Sequence, residues 1–332
     1  MTLTMEGLTN SVGDAGGVVI LFGAKAGSAM TAQRDASVDS LYEQVRMSVP
    51  VVEAAAPTVP EVVAPGIRVL ALRTPTLPPA TRTNAYLVGP ETGGQLVVDP
   101  GSPYPDQQAV LDAALAADAA AGRPLVAVLL THHHGDHVGG AAALAAKWNV
   151  PIAAHAKTAA RLAGRARVER ELGDGDAIGG VTCLHTPGHA DGHLCFQHGD
   201  AIIAGDMVAG LGWILIDPSE GDMAQYLASL RLLLARGAAT LLPAHGPPIR
   251  DAAGKLHEYI SHRVQREDQV VRALAAQPGA SELELVPAAY ADTPRALWPL
   301  AARVLRAHLD KLEREGRARR AGGDGQASWF PL

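Results

Sequence analysis

Along the middle of the chain, apolar positions recur in short runs broken by turn residues. Near its end they recur at helical spacing. IRVLALRTP, NAYLVGP and QLVVDPG, from Ile67 onward, read as β-strands separated by Gly, Pro and Asp. PDQQAVLDAALAADAAAGR (Pro105 to Arg123) reads as a helix, and PLVAVLL after it as a buried strand. GGAAALAAKW and KTAARLAG are predicted helices around the short strand PIAAH. DGDAIGGVTCLHTPGH, GHLCFQHG and DAIIAGDMV are predicted strands, DMAQYLASLRLLLARG an amphipathic helix, and TLLPAHG another strand. Strand pairs that alternate with strand–helix units predict two sheets with helices outside them. After His245 the pattern turns helical. A long helix is expected over Ala253 to Ala276. In a second, over Thr293 to Arg317, Leu305, Leu309 and Leu312 share one face at i, i+4 and i+7. The strand-like end ASWFPL follows a GGDG turn.

Three segments follow: an extension over 1–62, a strand-rich domain over 63–250, and a small helical domain over 251–332. The extension lacks periodicity, and Val51 to Gly66 reads as a Pro/Ala-rich linker. Gly17 to Ala24 is apolar but short, and it follows Glu6 and Asp14 with no preceding Lys or Arg, the wrong charge for a secretory leader. Met30 is an alternative start. The extension is expected to be partly disordered or an accessory arm, with capping of the site, dimer contacts or a vestigial domain as its options. No run is long enough to span a bilayer, so the expected compartment is cytoplasmic, with no membrane partner.

Composition narrows this further. A net charge of −6 advertises no nucleic acid, though a local basic groove can sit on an acidic protein. Five lysines against 23 arginines point to a GC-rich bacterial genome. Cys183 and Cys195 both lie in apolar runs and read as buried free thiols rather than a disulfide.

The chemistry concentrates in THHHGDHVGG, Thr131 to Gly140, directly after PLVAVLL. On an extended segment His132 and His134 point the same way. The chain then turns at Gly135 and presents Asp136 and His137 from another side. Imidazole and carboxylate are ordinary zinc donors. Three more such residues stand just beyond apolar runs: His189 in HTPGHADGH, Asp206 in AGDMV and His245 in PAHG. Strand ends are where loops carry sites on a rigid scaffold. A single histidine there would read as packing or surface; the joint pattern reads as a two-metal site.

THHHGDHVGG, HTPGHADGH, AGD, PAHG and the VVDPG around Asp99 together resemble the metallo-β-lactamase fold superfamily over about Ile67 to Arg250. The resemblance implies an α/β (α+β) fold, a four-layer αββα sandwich with metals at one edge of its sheets. It implies that His132, His134 and His189 bind a first zinc. Asp136, His137 and His245 bind a second, and Asp206 bridges the two. Asp99 is expected to be structural and His133 to face away. Two zincs per chain would share a bridging hydroxide, with Asp136 orienting it; manganese or iron also suits such ligands. His193 is a candidate leaving-group acid, or else a support for the metal loop. Asn84 is a candidate oxyanion donor, or else a turn cap. His155, His185, His198, His257, His262 and His308 are expected to pack or lie exposed. True β-lactamases of this fold carry Cys or Ser in place of Asp206, which argues against antibiotic hydrolysis.

PAHGPPIRDAAGKLHEYISHRVQREDQVV and the tail ADTPRALWPLAARVLRAHLDKLEREGR resemble the β-lactamase-like protein 2 group. That likeness implies a C-terminal helical, winged-helix-like domain and hydrolysis of single-stranded RNA. Arg303, Arg306, Arg314, Arg317, Arg319 and Arg320 are candidate phosphate contacts, against a plain solvated helix face. Trp213, Trp298 and Trp329 are candidate base platforms, or core. The alternative is a small-molecule ester or thioester hydrolase like glyoxalase II, or a lactonase. Thr74 to Arg82 and Ala209 to Asp222 are the expected specificity loops. The oligomeric state stays open, a homodimer among the options.

Overall fold

The computed structural model describes residues 40–47, 58–323 and 327–332. Expectations for the leader-like run, Met30, the first part of the linker (51–57) and the GGDG turn's second half lie outside them. In chain order the elements are α1 (40–47), β1 (Glu61–Ala64), β2 (Ile67–Arg73), β3 (Arg82–Val88), β4 (Gln95–Val98), α2 (Pro105–Ala120), β5 (Leu125–Leu129), α3 (Gly135–Val138), α4 (Ala141–Trp148), β6 (Ile152–Ala154), α5 (Ala156–Arg161), β7 (Arg170–Glu171) and β8 (Ala177–Ile178). Then come β9 (Val181–His185), β10 (Leu194–His198), β11 (Ala201–Gly205), α6 (Met223–Arg236), β12 (Thr240–Pro243), α7 (Ala252–Ala276), α8 (Glu282–Ala289), α9 (Trp298–Arg314), β13 (Ala318–Ala321) and β14 (Ser328–Pro331).

β1 to β7 pair in sequence order in one sheet, and the second runs β12-β11-β10-β9-β8. Strand periodicity makes the layers. Tyr86, Val88, Leu96, Val98, Ala127 and Leu129 turn inward to meet Val181, Cys183, Leu194, Phe196, Ile203 and Leu242 of the other sheet. Their neighbours Leu87, Val97 and Val128 turn outward onto Leu111 and Leu115 of α2 and Leu144 of α4. Leu184, Cys195, Ile202 and Leu241 turn outward from the second sheet onto α6 to α9. Helix, sheet, sheet, helix: the four-layer sandwich follows from a side-chain period of two. The two cysteines occupy opposite faces of one sheet and are free and buried. Burial pushes their thiols up, to about 11 for Cys183 and about 12 for Cys195.

Two expectations need correction. The linker reading of Val51 to Gly66 fails over its last third, because EVVA forms β1 and pairs antiparallel with β2. Its Pro and Gly flank the strand instead of dissolving it. The extension also contains α1, whose Val45 is buried and whose Arg46 Nε donates to the Thr76 carbonyl at 3.3 Å. The long helix agrees with the pattern, observed over Ala252–Ala276. The final helix is shorter than expected, because Arg295–Leu297 form a 3-10 turn before it. α8 was missed. Its signature is a capping box, Ser281 with Glu284, and the Pro287 inside it obscures the helical pattern.

Candidate metal centre

β4, β5, β9, β11 and β12 all end at the same edge, and each delivers polar side chains there. After β5 the chain bends at Thr131 and runs to His134, whose backbone is extended, then closes one helical turn, with the His137 N–H donating to the His134 carbonyl at 3.0 Å. The segment just beyond β5 carries His132 and His134; the turn carries Asp136 and His137. The turn is clamped from below by Gly101. A Cβ there would lie 1.8 Å from the Asp136 carbonyl oxygen, so only glycine fits.

Each histidine has one nitrogen tied outward. Thr131 gives its hydroxyl proton to Asp99 Oδ2 at 2.6 Å, so His132 Nδ1 donates to the Thr131 oxygen at 3.0 Å. His137 Nδ1 donates to Asp99 Oδ2 at 2.8 Å. His189 Nδ1 donates to the Leu215 carbonyl at 2.7 Å, and His245 Nδ1 to the Arg82 carbonyl at 2.9 Å. His134 is reversed: its Nε2 donates to Glu220 Oε1 at 2.6 Å. Outer hydrogen bonds of this kind fix the tautomer of a metal-binding histidine and leave the inner nitrogen bare.

Those inner nitrogens converge. His132 Nε2, His134 Nδ1 and His189 Nε2 lie 2.9, 3.0 and 3.3 Å apart. With the protons outside, three lone pairs face one another, an arrangement that a cation relieves. Ligands about 2.0–2.1 Å from a tetrahedral zinc stand about 3.3 Å from each other. Asp136, His137 and His245 form a second group. Asp206 lies between the two, with Oδ2 3.5 Å from His189 Nε2 and Oδ1 3.6 Å from His137 Nε2 and 3.5 Å from His245 Nε2. His137 Nε2 and Asp206 Oδ1 are buried without a hydrogen-bond partner. Such orphans are costly unless another ligand satisfies them. The residues therefore fit a pair of metal ions.

The electrostatics agree. Burial and the neighbouring imidazoles keep His132 well below the usual histidine range, and His189 is lowered to about 4. Both are neutral at pH 7, the form that binds metal. Burial opposes charge on His137, yet Asp206, Asp136 and Asp99 outweigh it and hold the imidazole well above its usual range. Burial likewise opposes charge on Asp206, but His245 and His137 outweigh it and keep the carboxyl far below its ordinary value.

Other expectations fared unevenly. Asp99 accepts from the Thr131 N–H at 2.8 Å as well as from His137, the structural role expected of it. His133 is outside the inner clusters but does not simply face away, since its Nε2 lies 2.7 Å from Glu220 Oε2. Glu220, which holds both His133 and His134, was missed. It stands alone in an expected specificity loop, with no spacing to mark it. A leaving-group acid at His193 does not fit. The ring is fully buried, its Nε2 accepts the Asp206 N–H at 3.1 Å, and its Nδ1 donates to Thr186 Oγ1 at 2.9 Å. It supports the chain that carries Asp206. An oxyanion role for Asn84 does not fit either, because its amide group donates to the Pro243 and Gly246 carbonyls, each at 2.9 Å. His155 and His185 stack on each other 4.3 Å apart, a packing role as expected.

The family model of the metallo-beta-lactamase superfamily matches residues 78–245, just over half the chain and the whole span from the first of these strands to His245. The chain belongs to the metallo-beta-lactamase superfamily. Residues 281–329 match the beta-lactamase associated winged helix domain, which accounts for α8, α9 and the β13–β14 ribbon. Among curated relatives, a beta-lactamase-like protein 2 homolog of Drosophila melanogaster is 29% identical over 256 residues, 71% of this chain and 84% of that protein. An atrochrysone carboxyl ACP thioesterase of Aspergillus chevalieri is 35% identical over 198 residues, 58% of this chain and 60% of that protein. Among solved structures, a beta-lactamase domain protein from Burkholderia ambifaria is 25% identical with a TM-score of 0.71, covering 85% of this chain and 95% of that one. This metallo-beta-lactamase-fold protein is thus a hydrolase by family, with His and Asp groups able to hold metal. Among the described residues, no helix is long and apolar enough to cross a membrane.

Proposed function

We propose that this protein is a two-metal hydrolase acting on a carboxylic thioester or ester. His132, His134 and His189 would hold one ion; Asp136, His137 and His245 would hold the other, with Asp206 between them. Five imidazole nitrogens beside carboxylates favour zinc, and manganese or iron suits the same donors. When bound, a pair of such ions activates water near neutral pH and polarises the substrate oxygen. The observation that carries this reading is the set of five histidines whose outer nitrogens are all spent on hydrogen bonds, leaving five inner nitrogens turned towards one another and towards Asp136 and Asp206.

The chain's own residues divide the remaining work. Asp136 Oδ2 lies 3.6 Å from His245 Nε2 and is held in its ionised form, its carboxyl lowered despite burial by His137 and His245. It is the group available to orient water and accept its proton. Thr76 lies at the same edge, its hydroxyl 3.5 Å from His245 Nε2. The segment after Asp206 runs from Gly210, bonded to the His245 carbonyl, to Leu215, bonded to His189. Between those anchors Leu211 and Trp213 are exposed, at 47% and 60%. An apolar rim beside the site supports an acyl substrate.

Single-stranded RNA is the second reading. It is supported by likeness to beta-lactamase-like protein 2 homologs, which extends well beyond the 78–245 match. Against it, four of the six expected phosphate contacts are engaged in ion pairs, and Arg319 lies over the Phe330 ring. Arg303 pairs with Asp217, Arg306 with Asp310 and Glu282, Arg314 with Asp222, and Arg317 with Glu267. Trp329 is fully buried and Trp298 half-buried, leaving only Trp213 of the three as an exposed ring. The deciding experiment incubates metal-reconstituted protein and an Asp136→Ala control with acyl thioesters and, in parallel, with labelled single-stranded RNA. Thioester turnover lost in the control supports the first reading; RNA cleavage lost in the control, without thioester turnover, replaces it with the second.

A further inference from the structure

We propose that the winged-helix segment sets the metal affinity of the His132–His134–His189 group, through Arg303 as a positioning residue. This rests on the two-metal reading. The loop from Ala209 to Asp222 supplies the outer hydrogen-bond partners of two of those three histidines: the Leu215 carbonyl for His189 and the Glu220 carboxylate for His134. Midway between them in sequence is Asp217, only 2% exposed. Its carboxylate receives Arg303 Nε and Nη2 from α9, together with the Ser219 N–H at 2.9 Å and hydroxyl at 2.7 Å. The Asp217 carbonyl in turn accepts the Gly221 N–H at 2.6 Å, which closes the turn that presents Glu220. Arg263 of α7 donates to the Ile214 carbonyl, and Arg314 of α9 pairs with Asp222. The C-terminal helices thus grip the loop on its outer side while its inner side holds two imidazoles.

Removing Arg303 would leave a buried carboxylate without its counter-charge. Breaking a buried pair by removing one partner is strongly destabilising, because the remaining charge is uncompensated. The cheapest relief is movement of the loop, and Leu215 and Glu220 are two and three residues away. The second group is held differently. His137 is oriented by Asp99 and His245 by the Arg82 carbonyl, neither on this loop. The effect is therefore expected at one ion and not at both. Partners in this position typically change metal affinity about 10–100-fold when lost.

The test is zinc titration of the full-length protein in competition with a chromogenic chelator, beside a thermal melt. Wild type is expected to bind two ions. Arg303→Ala is expected to weaken one of them about 10–100-fold and to leave the other unchanged. Arg306→Ala, which removes ion pairs to Asp310 and Glu282 within the same segment, is expected to bind both ions as wild type does. Combining Arg303→Ala with Glu220→Ala should weaken the first ion by less than the two single losses together, since residues acting through one network are not additive. Arg303→Lys keeps the charge without the fork and should fall between wild type and Arg303→Ala; it also serves if Arg303→Ala does not fold. Wild-type affinity for both ions in these folded Arg303 variants, or an equal loss at both ions, would overturn the inference alone. A wild type that binds fewer than two ions would overturn the two-metal reading and this inference with it.

Discussion

Asp99 holds His137 at 2.8 Å, and through that contact one buried carboxylate fixes which nitrogen of the ring faces the site. The same carboxylate ties down Thr131, whose oxygen orients His132. One residue outside the inner cluster thus sets the tautomer of two histidines within it, one in each group. Asp99→Ala is expected to lower metal affinity about 10–100-fold. It is also expected to lower the melting temperature of the metal-free protein, because His137, Thr131 and their neighbours lose a buried partner. Chelator competition and a melt in excess chelator read the two effects separately. Unchanged affinity would show that Asp99 does not orient His137.

The clamp under the metal loop is steric. A side chain at Gly101 would run into the Asp136 carbonyl, and backbone cannot give way as a flexible side chain can. Gly101→Ala is expected to cost several kcal/mol, on the order of 2–4, or to displace the 135–138 turn. Either outcome should reduce hydrolysis by at least about 10-fold. A folded, fully active Gly101→Ala protein would contradict the clamp.

His193 separates support from chemistry. If the ring only receives the Asp206 N–H, His193→Gln should reduce the rate while leaving the shape of the pH–rate profile unchanged. Loss of one limb of that profile would restore His193 as a proton donor.

His308 gives a pH-dependent signature away from the site. It is fully buried on α9, with Glu267, Lys311 and Arg263 around it, and burial lowers its pKa to about 4. Its unfolded value is about 6.5. A depressed histidine is neutral in the folded state, and below its unfolded pKa the unfolded state takes the proton first. Its contribution to stability is thus fully present above about pH 6.5 and lost as pH falls towards about 4. His308→Leu keeps the volume and should flatten that part of the acid limb in chelator-treated protein. Melting curves for both proteins across pH 4 to 7 check this; identical slopes would contradict it.

The inner cluster was legible because its residue types are rare together and each follows a strand. Seven positions, from His132 to His245, could be singled out without contacts. What stayed hidden was pairing across sequence distance. Glu220 reaches His134 from 86 residues away, and Arg303 reaches Asp217 from the same separation. Neither has a local pattern. The C-terminal arginines looked like a phosphate-binding run because charge is visible in sequence and its counter-charge is not. β1 reads as linker because four residues between prolines carry too little periodicity to register. Burial, too, was unreadable at His193 and Asn84: both have polar groups fit for catalysis, and both spend them on neighbours, His193 on the Asp206 N–H and the Thr186 hydroxyl, Asn84 on two backbone carbonyls.

The most direct measurement is metal content. Purified protein, stripped and reloaded with zinc, would be assayed for bound ions per chain beside Asp206→Ala. Two ions in wild type, and loss of at least one in the variant together with hydrolytic activity, are the predicted result. A wild type that binds no ion, or hydrolyses its substrate equally well in excess chelator, would contradict the account at its centre.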